Sequence, residues 1–460
     1  ILSLPAGGRS YYFRNYRNDD GLSNNSVMAC IQDRRGFVWF GTREGLTRFD
    51  GYQFKVFLHD PAVPNSLIHN FVTALCEDNN GWIWTGTSNG LCYYIPESDF
   101  FGTIGSENLG PGLFIQDLIA DNDGNIWIIT YSGILRYTKA NGNTRIYPAG
   151  QYFIPLSVDI STNGDVWFCA TDGKIYRYDP QNDAFTGIIV LSNEELSTSA
   201  NLLNIIDQGD GRLIVASSTA GLKLVETASG RVSDLPDDGR QFSNMLIRTA
   251  SRYNDDEIWI GTETGIHIYS LTRGFLTNLQ KINTDPYSLS NNAIRSITRD
   301  REGGMWIGTF YGGISYLPVN YNSFEKYYPT GLPGSLNGNV VREMRADDEG
   351  NIWIGTEDAG LFRYDPRSGK FSDFFSGPEH DNIESRNIQG LLVSGDSLWI
   401  ATNDKGIYIM NIPSGRIIRH FDVSDRKSGL RTNSFITMLG TSRGEVFAGG
   451  VSGLYRFDRK

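Results

Sequence analysis

The segment GTSNG at residues 86–90 has the G-x-S-x-G pattern that surrounds the nucleophilic serine of many hydrolases. That chemistry needs a sharp strand-to-helix turn, with a histidine and an acid brought beside the serine by the fold. The same place in the sequence pattern holds GTREG at 41–45 and GTETG at 261–265, which have no serine between the glycines. We therefore interpret the segment as an ordinary repeated turn and predict no catalytic residue.

Two further features have side chains that could bind a metal ion. The segment DNDG at 121–124 resembles the start of a calcium loop, but Ile119 stands where an acidic ligand belongs and no later glutamate is placed by the motif. The histidines show no pair at a metal-ligand spacing such as HxxxH. They are His59, His69, His267, His380 and His420. The sequence predicts a capped turn at 121–124, no metal site and no cofactor.

Charge and hydropathy argue against two classes of function. A net charge of −11 does not suit a nucleic-acid-binding protein, which needs a basic face to neutralise phosphates. No stretch approaches the ~18–20 apolar residues that cross a bilayer, and residues 1–5 lack the basic start and apolar core of a signal peptide. The four cysteines have no CxxC spacing, which favours buried free thiols. They are Cys30, Cys76, Cys92 and Cys169.

The chain is strongly self-similar. The segment GFVWFGT at 36–42 recurs as GWIWTGT at 81–87 and as GNIWIGT at 350–356. Looser copies are centred on Trp127, Trp167, Ile214, Trp259, Trp306, Trp399 and Phe447. The ten units are spaced by about 40–48 residues, and eight of the nine tryptophans occupy the same place in the unit.

Each unit contains two turn signals between short alternating segments. The first is a polar turn closing on glycine, such as DRRG at 33–36, and the second is a glycine shortly after the Gly-Thr pair, such as Gly45. Four short strands in one such unit make a propeller blade. The sequence therefore predicts an all-β fold, a β-propeller built from ten four-stranded blades. The repeated tryptophans are predicted to fill the space between neighbouring blades.

The chain ends allow two ring architectures. Residues 11–16 look like the fourth strand of a blade, and the chain ends at 454–460 just after a third strand. In the first architecture, residues 11–16 complete blade seven, and residues 324–328 begin a second ring with three blades. In the second architecture, a single ten-bladed ring closes on itself through the N-terminal strand. The residues themselves leave both open.

The units resemble the two-component regulator propeller repeats of hybrid histidine kinases from polysaccharide-degrading gut bacteria. The resemblance is carried by GLSNNSV at 21–27, DRRGFVWFGT at 33–42 and GLTRFDG at 45–51. It extends along nearly the whole chain. It is weakest in units four and five, where Cys169 and Ala216 replace the glycine.

The resemblance implies a seven-bladed propeller over residues 1–320, closed by the N-terminal strand, and the first three blades of a second propeller over 321–460. It implies a periplasmic sensor region of an inner-membrane receptor that binds an oligosaccharide. Such a receptor would be a homodimer, attached to the membrane through downstream segments, with a cytoplasmic histidine kinase that controls glycan-utilisation genes. The fragment itself is then no enzyme, although the full-length protein would be a histidine kinase.

The positions of the propeller loops also indicate which face would bind a ligand. By analogy with other propellers, the loops between strand four and the next strand one share one face with the turns between strands two and three. A sugar there needs aromatic surfaces and planar polar groups. The predicted ligand-binding residues are Arg43, Glu44, His69, Asn89, Tyr131, Asp172, Glu263, Tyr311, Glu357, Asp358 and Asp404. Other loop residues of this face are Asn25, Asn70 and Asn292.

Two alternatives to sensing remain at this point. One is a propeller-fold polysaccharide lyase or hydrolase, and the other is a protein-interaction scaffold. The residues do not name the sugar, and they do not decide between these functions.

Overall fold

A computed structural model describes most of the chain and divides it into two compact units, residues 1–322 and 323–460. Each unit is described by itself. The described residues are 11–105, 112–149, 154–192, 194–195, 202–218, 220–235, 245–319, 325–374 and 383–457. His380, one of the five histidines, therefore lies outside the described residues. Among the described residues, the structure contains no helix with the length and hydropathy of a membrane span.

Unit 1 opens with strand β1 (Arg14–Tyr16) and a short 3₁₀ helix (Asn18–Asp20). Its first four blades are antiparallel sheets of four strands in sequential order. Blade 1 contains β2 (Val27–Gln32), β3 (Val38–Thr42), β4 (Gly45–Phe49) and β5 (Phe54–Phe57); blade 2 contains β6 (Val72–Glu77), β7 (Ile83–Thr87), β8 (Gly90–Ile95) and β9 (Phe100–Thr103); blade 3 contains β10 (Ile115–Ala120), β11 (Asn125–Thr130), β12 (Gly133–Thr138) and β13 (Asn143–Pro148); blade 4 contains β14 (Pro155–Ile160), β15 (Val166–Ala170), β16 (Lys174–Asp179) and β17 (Ala184–Ile189).

The next three sheets complete unit 1. Blade 5 contains β18 (Leu202–Asp207), β19 (Arg212–Ser217), β20 (Gly221–Glu226) and β21 (Val232–Asp234); blade 6 contains β22 (Ile247–Arg252), β23 (Glu257–Thr262), β24 (Gly265–Ser270) and β25 (Gly274–Leu279); blade 7 contains β26 (Ile294–Arg299), β27 (Met305–Thr309) and β28 (Ile314–Leu317). The fourth strand of blade 7 is the N-terminal β1, which pairs antiparallel with β28.

Unit 2 contains three further sheets. Blade 8 contains β29 (Val341–Ala346), β30 (Ile352–Thr356), β31 (Leu361–Asp365) and β32 (Lys370–Asp373); blade 9 contains β33 (Ile388–Ser394), β34 (Ser397–Thr402), β35 (Ile407–Asn411) and β36 (Arg416–Phe421); blade 10 contains β37 (Phe435–Gly440), β38 (Val446–Gly450) and β39 (Gly453–Phe457). Residues 325–330, which overlap the segment expected to begin a second ring, form no strand. Phe324 lies outside the described residues.

One aspartate organises the first turn of a blade. In blade 1 the Asp33 carboxylate accepts the N–H groups of Arg35 at 2.9 Å and Phe37 at 3.0 Å, and the indole N–H of Trp39 at 2.8 Å. The carboxylate therefore caps its own turn, as the sequence predicted, and also anchors the repeated tryptophan. The same aspartate–tryptophan bond recurs in four other blades, through Asp78–Trp84, Asp121–Trp127, Asp300–Trp306 and Asp347–Trp353.

The hydrophobic core lies between neighbouring blades. Trp39 and Leu46 of blade 1 form one cluster with Val72, Leu75 and Ile83 of blade 2. Seven of the eight repeated tryptophans are buried, and Trp399 is half-buried. All four cysteines are buried as well. The predicted all-β fold of ten blades is therefore confirmed, with each large ring packed against an adjacent sheet.

The seven blades of unit 1 form a closed ring. Blade 7 contacts blade 1 directly, since the Thr298 hydroxyl donates to the Cys30 carbonyl at 2.6 Å. Gly308 approaches Val27 so closely that an added Cβ would lie 2.8 Å from the valine methyl. The inner strands of all seven blades line one cavity of about 470 Å³. Because the N-terminal strand belongs to blade 7, the alternative single ten-bladed ring does not form.

Every innermost strand contains a β-bulge at its second residue. In blade 6, for example, Ile247 pairs with Thr262 and Thr249 with Gly261, which leaves Arg248 as the extra residue. A bulge re-aims its side chain without breaking the rest of the ladder. The bulged residues of the ten blades are Met28, Thr73, Gln116, Leu156, Leu203, Arg248, Arg295, Arg342, Gln389 and Ile436.

Candidate functional site

The loops before the innermost strands and the turns between the second and third strands lie at one end of each blade. We call this end of unit 1 the loop face. Hydrogen bonds join its loops from blade to blade: the Gly45 N–H of blade 1 donates to the Asn70 carbonyl before blade 2 at 2.7 Å. The Gly313 N–H of blade 7 donates to the Asn25 carbonyl before blade 1 at 2.9 Å. Backbone hydrogen bonds thus hold the loop face together.

The threonine of each Gly-Thr pair fixes the turn that follows it. The Thr42 hydroxyl donates to the Gly45 carbonyl at 3.0 Å and accepts the Glu44 N–H at 3.0 Å. In blade 6 the Thr262 hydroxyl donates to the Gly265 carbonyl at 3.0 Å in the same way. The side chains between threonine and glycine are therefore presented from a rigid backbone, which suits a binding surface.

The β-bulges bring two arginines to the loop face. Arg248 and Arg295 are the bulged residues of blades 6 and 7, next to the second turns of those blades. The Arg248 guanidinium donates to the Glu263 carboxylate at 2.8 Å. The Arg295 guanidinium lies over the Phe310 ring, 4.4 Å from its centroid, and the rings of Phe310 and Tyr311 meet edge to face at 4.3 Å. Both arginines are half-buried.

The contacts continue across blades 1, 2 and 3. The Arg43 guanidinium lies 5.8 Å from the Phe310 centroid on one side and 5.5 Å from the Phe71 centroid on the other. Phe71 meets Phe114 edge to face at 6.2 Å, and Phe114 contacts Tyr131 at 5.7 Å. We name the whole set the arginine–aromatic arc. It consists of Arg43, Phe71, Phe114, Tyr131, Arg248, Glu263, Arg295, Phe310 and Tyr311.

The arc brings three positively charged guanidinium groups together, two of which are half-buried. Burial lowers the pKa of Arg295, and the neighbouring guanidinium groups of Arg248 and Arg43 lower it further, while Glu263 acts in the opposite direction. The Arg295 Nε is buried and has no hydrogen-bond partner among the described residues. Such crowding of like charges is unfavourable, because each guanidinium group destabilises the charged form of its neighbours.

Four of the predicted ligand-binding residues belong to the arc: Arg43, Tyr131, Glu263 and Tyr311. Four other predictions in unit 1, Glu44, His69, Asn89 and Asp172, lie on the loop face outside it. Glu44 and Asn89 are exposed, and the Asp172 carboxylate accepts the Tyr176 hydroxyl at 2.6 Å and lies 3.5 Å from the Lys174 ammonium group. The ligand role of all these residues stays a prediction.

His69 and Ser88 are in direct contact. The Ser88 hydroxyl lies 2.9 Å from the His69 Nδ1, which also accepts the Phe71 N–H at 3.0 Å. Asn24 in blade 1 makes the corresponding bond, because its side-chain oxygen accepts the Ser26 N–H at 2.7 Å. Ser88 itself stands in a turn between two antiparallel strands. His69 thus does locally what a non-titrating asparagine does in the same position of another blade.

The three predicted residues of unit 2 occupy the equivalent turns of blades 8 and 9. Glu357 pairs with the bulged Arg342 at 3.5 Å. The Asp358 carboxylate accepts the side-chain amide of Asn339 at 2.8 Å, and Asp404 accepts the Ser385 hydroxyl. Each of these carboxylates thus has a partner within its own blade.

Sequence reasoning missed five members of the arc. Phe71 and Phe114 each directly precede an innermost strand, and Phe310 begins a second turn. Arg248 and Arg295 were overlooked because they lie inside strand segments. An alignment of the repeats contains a signal for them, since the pair Ile-Arg recurs at 247–248 and 294–295 where alternation is interrupted.

The central cavity of unit 1 is lined by the carboxyl groups of two half-buried residues, Asp117 and Asp159. The Asp117 carboxylate accepts the Val158 N–H of the next blade at 3.0 Å, and burial raises its pKa. Burial, reinforced by the charges of Asp117 and Asp207, raises the pKa of Asp159 to about 7. No group of three or more metal-binding side chains occurs among the described residues. At 121–124, the Asp121 carboxylate is occupied as a turn cap, accepting the N–H groups of Asp123 and Asn125.

The fold and the repeats define a β-propeller protein. Four segments match the two component regulator propeller family, residues 21–44, 66–89, 288–311 and 335–358. Each match runs from the loop before an innermost strand to the second turn of the same blade. The chain therefore carries two-component regulator propeller repeats, and the resemblance predicted from the sequence is confirmed.

Known proteins show similarity to this chain at several levels. Histidine kinase P4 of Formosa agariphila is 39% identical over 66 residues, which is 14% of this chain and 5% of that protein. The extracellular domain of the hybrid two-component system BT3049 of B. thetaiotaomicron superposes with a TM-score of 0.61 at 22% identity, covering 98% of this chain and 66% of that domain. Virginiamycin B lyase from Staphylococcus aureus matches 67% of this chain and 99% of its own, with a TM-score of 0.53 and 14% identity. At these identities the two structures share the fold with this chain. The chain spans less than two thirds of the length of the extracellular domain and a small part of the kinase.

Proposed function

We propose that this chain is the extracytoplasmic sensor region of a hybrid two-component system, and that it binds an oligosaccharide on the loop face of unit 1. The observation that carries the proposal is the arginine–aromatic arc, which links five of the seven blades. Exposed aromatic rings offer stacking surfaces for sugars, and guanidinium groups donate paired hydrogen bonds to their polar substituents. The family of the repeats and the fold of the BT3049 extracellular domain support the sensory role.

The proposal includes the rest of a receptor. In the periplasmic part, residues 1–320 are a seven-bladed propeller and residues 321–460 are the first three blades of a second one. A downstream membrane span joins them to a cytoplasmic histidine kinase that controls glycan-utilisation genes. The receptor acts as a homodimer, in which the ligand must bind one arrangement of the two subunits better than the other. A reading frame that continues into a membrane span and a kinase domain supports this part. A stop codon directly after Lys460 contradicts it.

Binding is tested by isothermal titration calorimetry of this chain against a panel of neutral and acidic oligosaccharides. Tyr131 and Tyr311 are 60% and 68% exposed, so their removal leaves the core intact. We expect Tyr131→Ala and Tyr311→Ala each to weaken binding by about tenfold, since a lost stacking surface contributes about 1 kcal/mol or more. Tyr52→Ala is the matched control, because Tyr52 is 95% exposed and lies in the turn at the other end of blade 1. Binding that is equally sensitive to all three variants contradicts the location.

The same panel tests the two other functions. New reducing or unsaturated ends after incubation would establish a lyase or hydrolase in place of a sensor. His69→Asn separates these cases as well, because it keeps the turn-capping oxygen but removes the imidazole that is hydrogen-bonded to the Ser88 hydroxyl. A chain that binds no sugar of the panel and cleaves none favours the interaction scaffold.

A further inference from the structure

We propose that the ligand of the arginine–aromatic arc is an acidic oligosaccharide, whose sugar rings bear a carboxylate or a sulfate group. This inference rests on the proposed function, because it names the chemical class of ligand for the same site. It is carried by the charges and contacts of the arc.

The arc has an excess of positive charge in an acidic protein. Arg43, Arg248 and Arg295 contribute three guanidinium groups, and Glu263 contributes one carboxylate. A positive excess remains even if the exposed Glu44 beside Arg43 is counted. The whole chain has a net charge of −11, so the arc is a local reversal of sign. A surface of opposite sign within an acidic protein concentrates anionic ligands.

Two of the three guanidinium groups are not neutralised by a carboxylate. Glu263 is hydrogen-bonded to Arg248, whereas Arg43 and Arg295 form no ion pair among the described residues. Their contacts are with the rings of Phe71 and Phe310. A ring face holds a guanidinium in place and leaves its N–H donors free, which is the state that a planar anion can exploit bidentately.

The fold itself does not require these arginines. Blades 1 to 4 form the same bulge with Met28, Thr73, Gln116 and Leu156, which are all uncharged. The guanidinium groups are therefore not part of the bulge mechanism. They occur at this position in the adjacent blades 6 and 7 of unit 1, where Arg43 of blade 1 is also within reach of Phe310. These guanidinium groups lie close together at one place on the ring, in a half-buried setting, where their mutual repulsion is unfavourable. Their position therefore points to a ligand whose binding offsets that repulsion.

The exposed aromatic residues of the arc indicate a ligand with sugar rings rather than a small inorganic anion. Tyr131 and Tyr311 are exposed at positions three blades apart, on either side of Arg43. Each of these rings can stack on a sugar unit, while the arginines of the arc bind acidic substituents. A small inorganic anion would use the guanidinium groups alone, whereas an acidic oligosaccharide uses both kinds of side chain.

The test is calorimetry with matched acidic and neutral sugars. Trigalacturonate is compared with galactotriose, and neocarrabiose 4-sulfate with unsulfated neocarrabiose. We expect at least one acidic member to bind about tenfold or more tightly than its neutral match, and its affinity to fall as NaCl is raised. The carboxylate and sulfate pairs distinguish the two sources of negative charge.

Variants locate the effect. Arg295→Gln and Arg43→Gln should each reduce the affinity for the acidic sugar by about tenfold and leave any binding of its neutral match unchanged. Arg273→Gln is the control, because Arg273 is an exposed arginine at the other end of blade 6. Should Arg295→Gln fail to fold, the exposed Arg43 carries the test alone. Thermal unfolding of each variant verifies that the blades are intact.

The outcomes separate this inference from the proposed function. Neutral sugars that bind as tightly as acidic ones overturn the acidic class and leave the oligosaccharide sensor standing. Acidic sugars that bind regardless of Arg43 and Arg295 overturn the arc as their site. A panel in which neither acidic nor neutral sugars bind overturns both proposals.

Discussion

Blade 2 in the closed ring and blade 8 in the three-bladed unit have innermost strands of the same construction. Both strands pair with their second strand through the same bulged register. Their burial differs, however: Val72 is fully buried and Leu75 is 7% exposed, whereas the equivalent Val341 and Met344 are 41% and 57% exposed. Hydrogen bonding within a blade is therefore independent of its neighbours, but the burial of its innermost strand depends on the blades beside it.

Blade 9 supports this interpretation within unit 2. Its innermost strand β33 lies between blades 8 and 10, and Ile388 and Leu391 are buried as in the closed ring. In blade 10 the first residue, Phe435, is buried, whereas Ile436 and Leu439 are 46% and 63% exposed. The difference between the units thus lies in the number of neighbours per blade.

The largest effect is expected at the contact that closes the ring. A Cβ added to Gly308 would lie 2.8 Å from Val27 and 2.3 Å from the Ser296 hydroxyl, so Gly308→Ala should overpack the contact between blades 7 and 1. We expect a loss of about 3 kcal/mol in the free energy of unfolding. Urea denaturation, with amide hydrogen exchange of β26–β28, measures it.

Gly449→Ala is the matched change in the open unit. An added Cβ there would meet only the Thr437 methyl, at 3.1 Å, among the described residues. We expect a loss below about 1 kcal/mol, since a single flexible contact can yield. Equal losses in the two variants would contradict the role assigned to the neighbouring blade.

The aspartate–tryptophan bond should be equally important in both units. Asp33→Ala and Asp347→Ala each remove the partner of a buried indole and the cap of a turn, and we expect each to cost about 2–3 kcal/mol. Because the bond lies within one blade, the number of neighbouring blades should not matter. Hydrogen exchange of β2–β5 and β29–β32 measures the two losses separately, and a much smaller loss in blade 8 would refute the independence of blades.

The pH dependence of stability should differ between unit 1, which has the central cavity, and unit 2. Asp159 retains its proton up to a pKa of about 7 in the folded ring, but ionises near pH 4 when unfolded. The unfolded state then binds fewer protons, so this group makes unit 1 less stable as the pH rises from about 4 to about 7. We expect Asp159→Asn to stabilise unit 1 by about 1–2 kcal/mol at pH 8 and to have no such effect at pH 4.

The equivalent residue of blade 8 provides the control. Arg345 faces the repeated tryptophan of its blade as Asp159 does, but it is exposed. Arg345→Asn should therefore leave the pH dependence of unfolding unchanged. A gain in stability for Asp159→Asn that is the same at both pH values would show that burial of the charge is not its cause.

The smallest effect is expected for His69→Asn. Asn24 makes the same cap in blade 1, so the exchange should alter the free energy of unfolding by less than about 0.5 kcal/mol. The loop before blade 2 should also keep its hydrogen-exchange protection. A large loss would indicate that the contact between His69 and Ser88 contributes more than the cap.

The repeat pattern in the sequence was sufficient for the blades, because each carries its own turns. Gly36 has the positive φ of 93° that its hairpin needs, and Asp33 lies where a cap is required. Weak repeats are informative too: Ser161 and Tyr253 stand where other blades have the aspartate, and the indole N–H groups of Trp167 and Trp259 lack a partner among the described residues.

The arginine–aromatic arc was predicted less completely than the fold. Arg43 and Tyr311 lie in turns, where polar and aromatic residues are visible against a glycine background. Arg295 lies in a strand, and its position at the loop face depends on a bulge that no local propensity specifies. The contact of Arg43 with Phe310 joins residues at opposite ends of unit 1 in the sequence, and it becomes evident only when the ring is closed.

The position of β1 has a consequence for how this protein folds. Arg14 pairs with Tyr316, so β1 finds its partner strand only after about three hundred further residues have been synthesised. Until β1 docks on β28, the backbone edge of β1 is unpaired and blade 7 has only three strands. Such a non-local pairing pays its loop-closure entropy late and slows folding. The docking of β1 on β28 should therefore be the slowest step in the folding of unit 1. Chaperones are expected to bind the chain mainly before this strand docks.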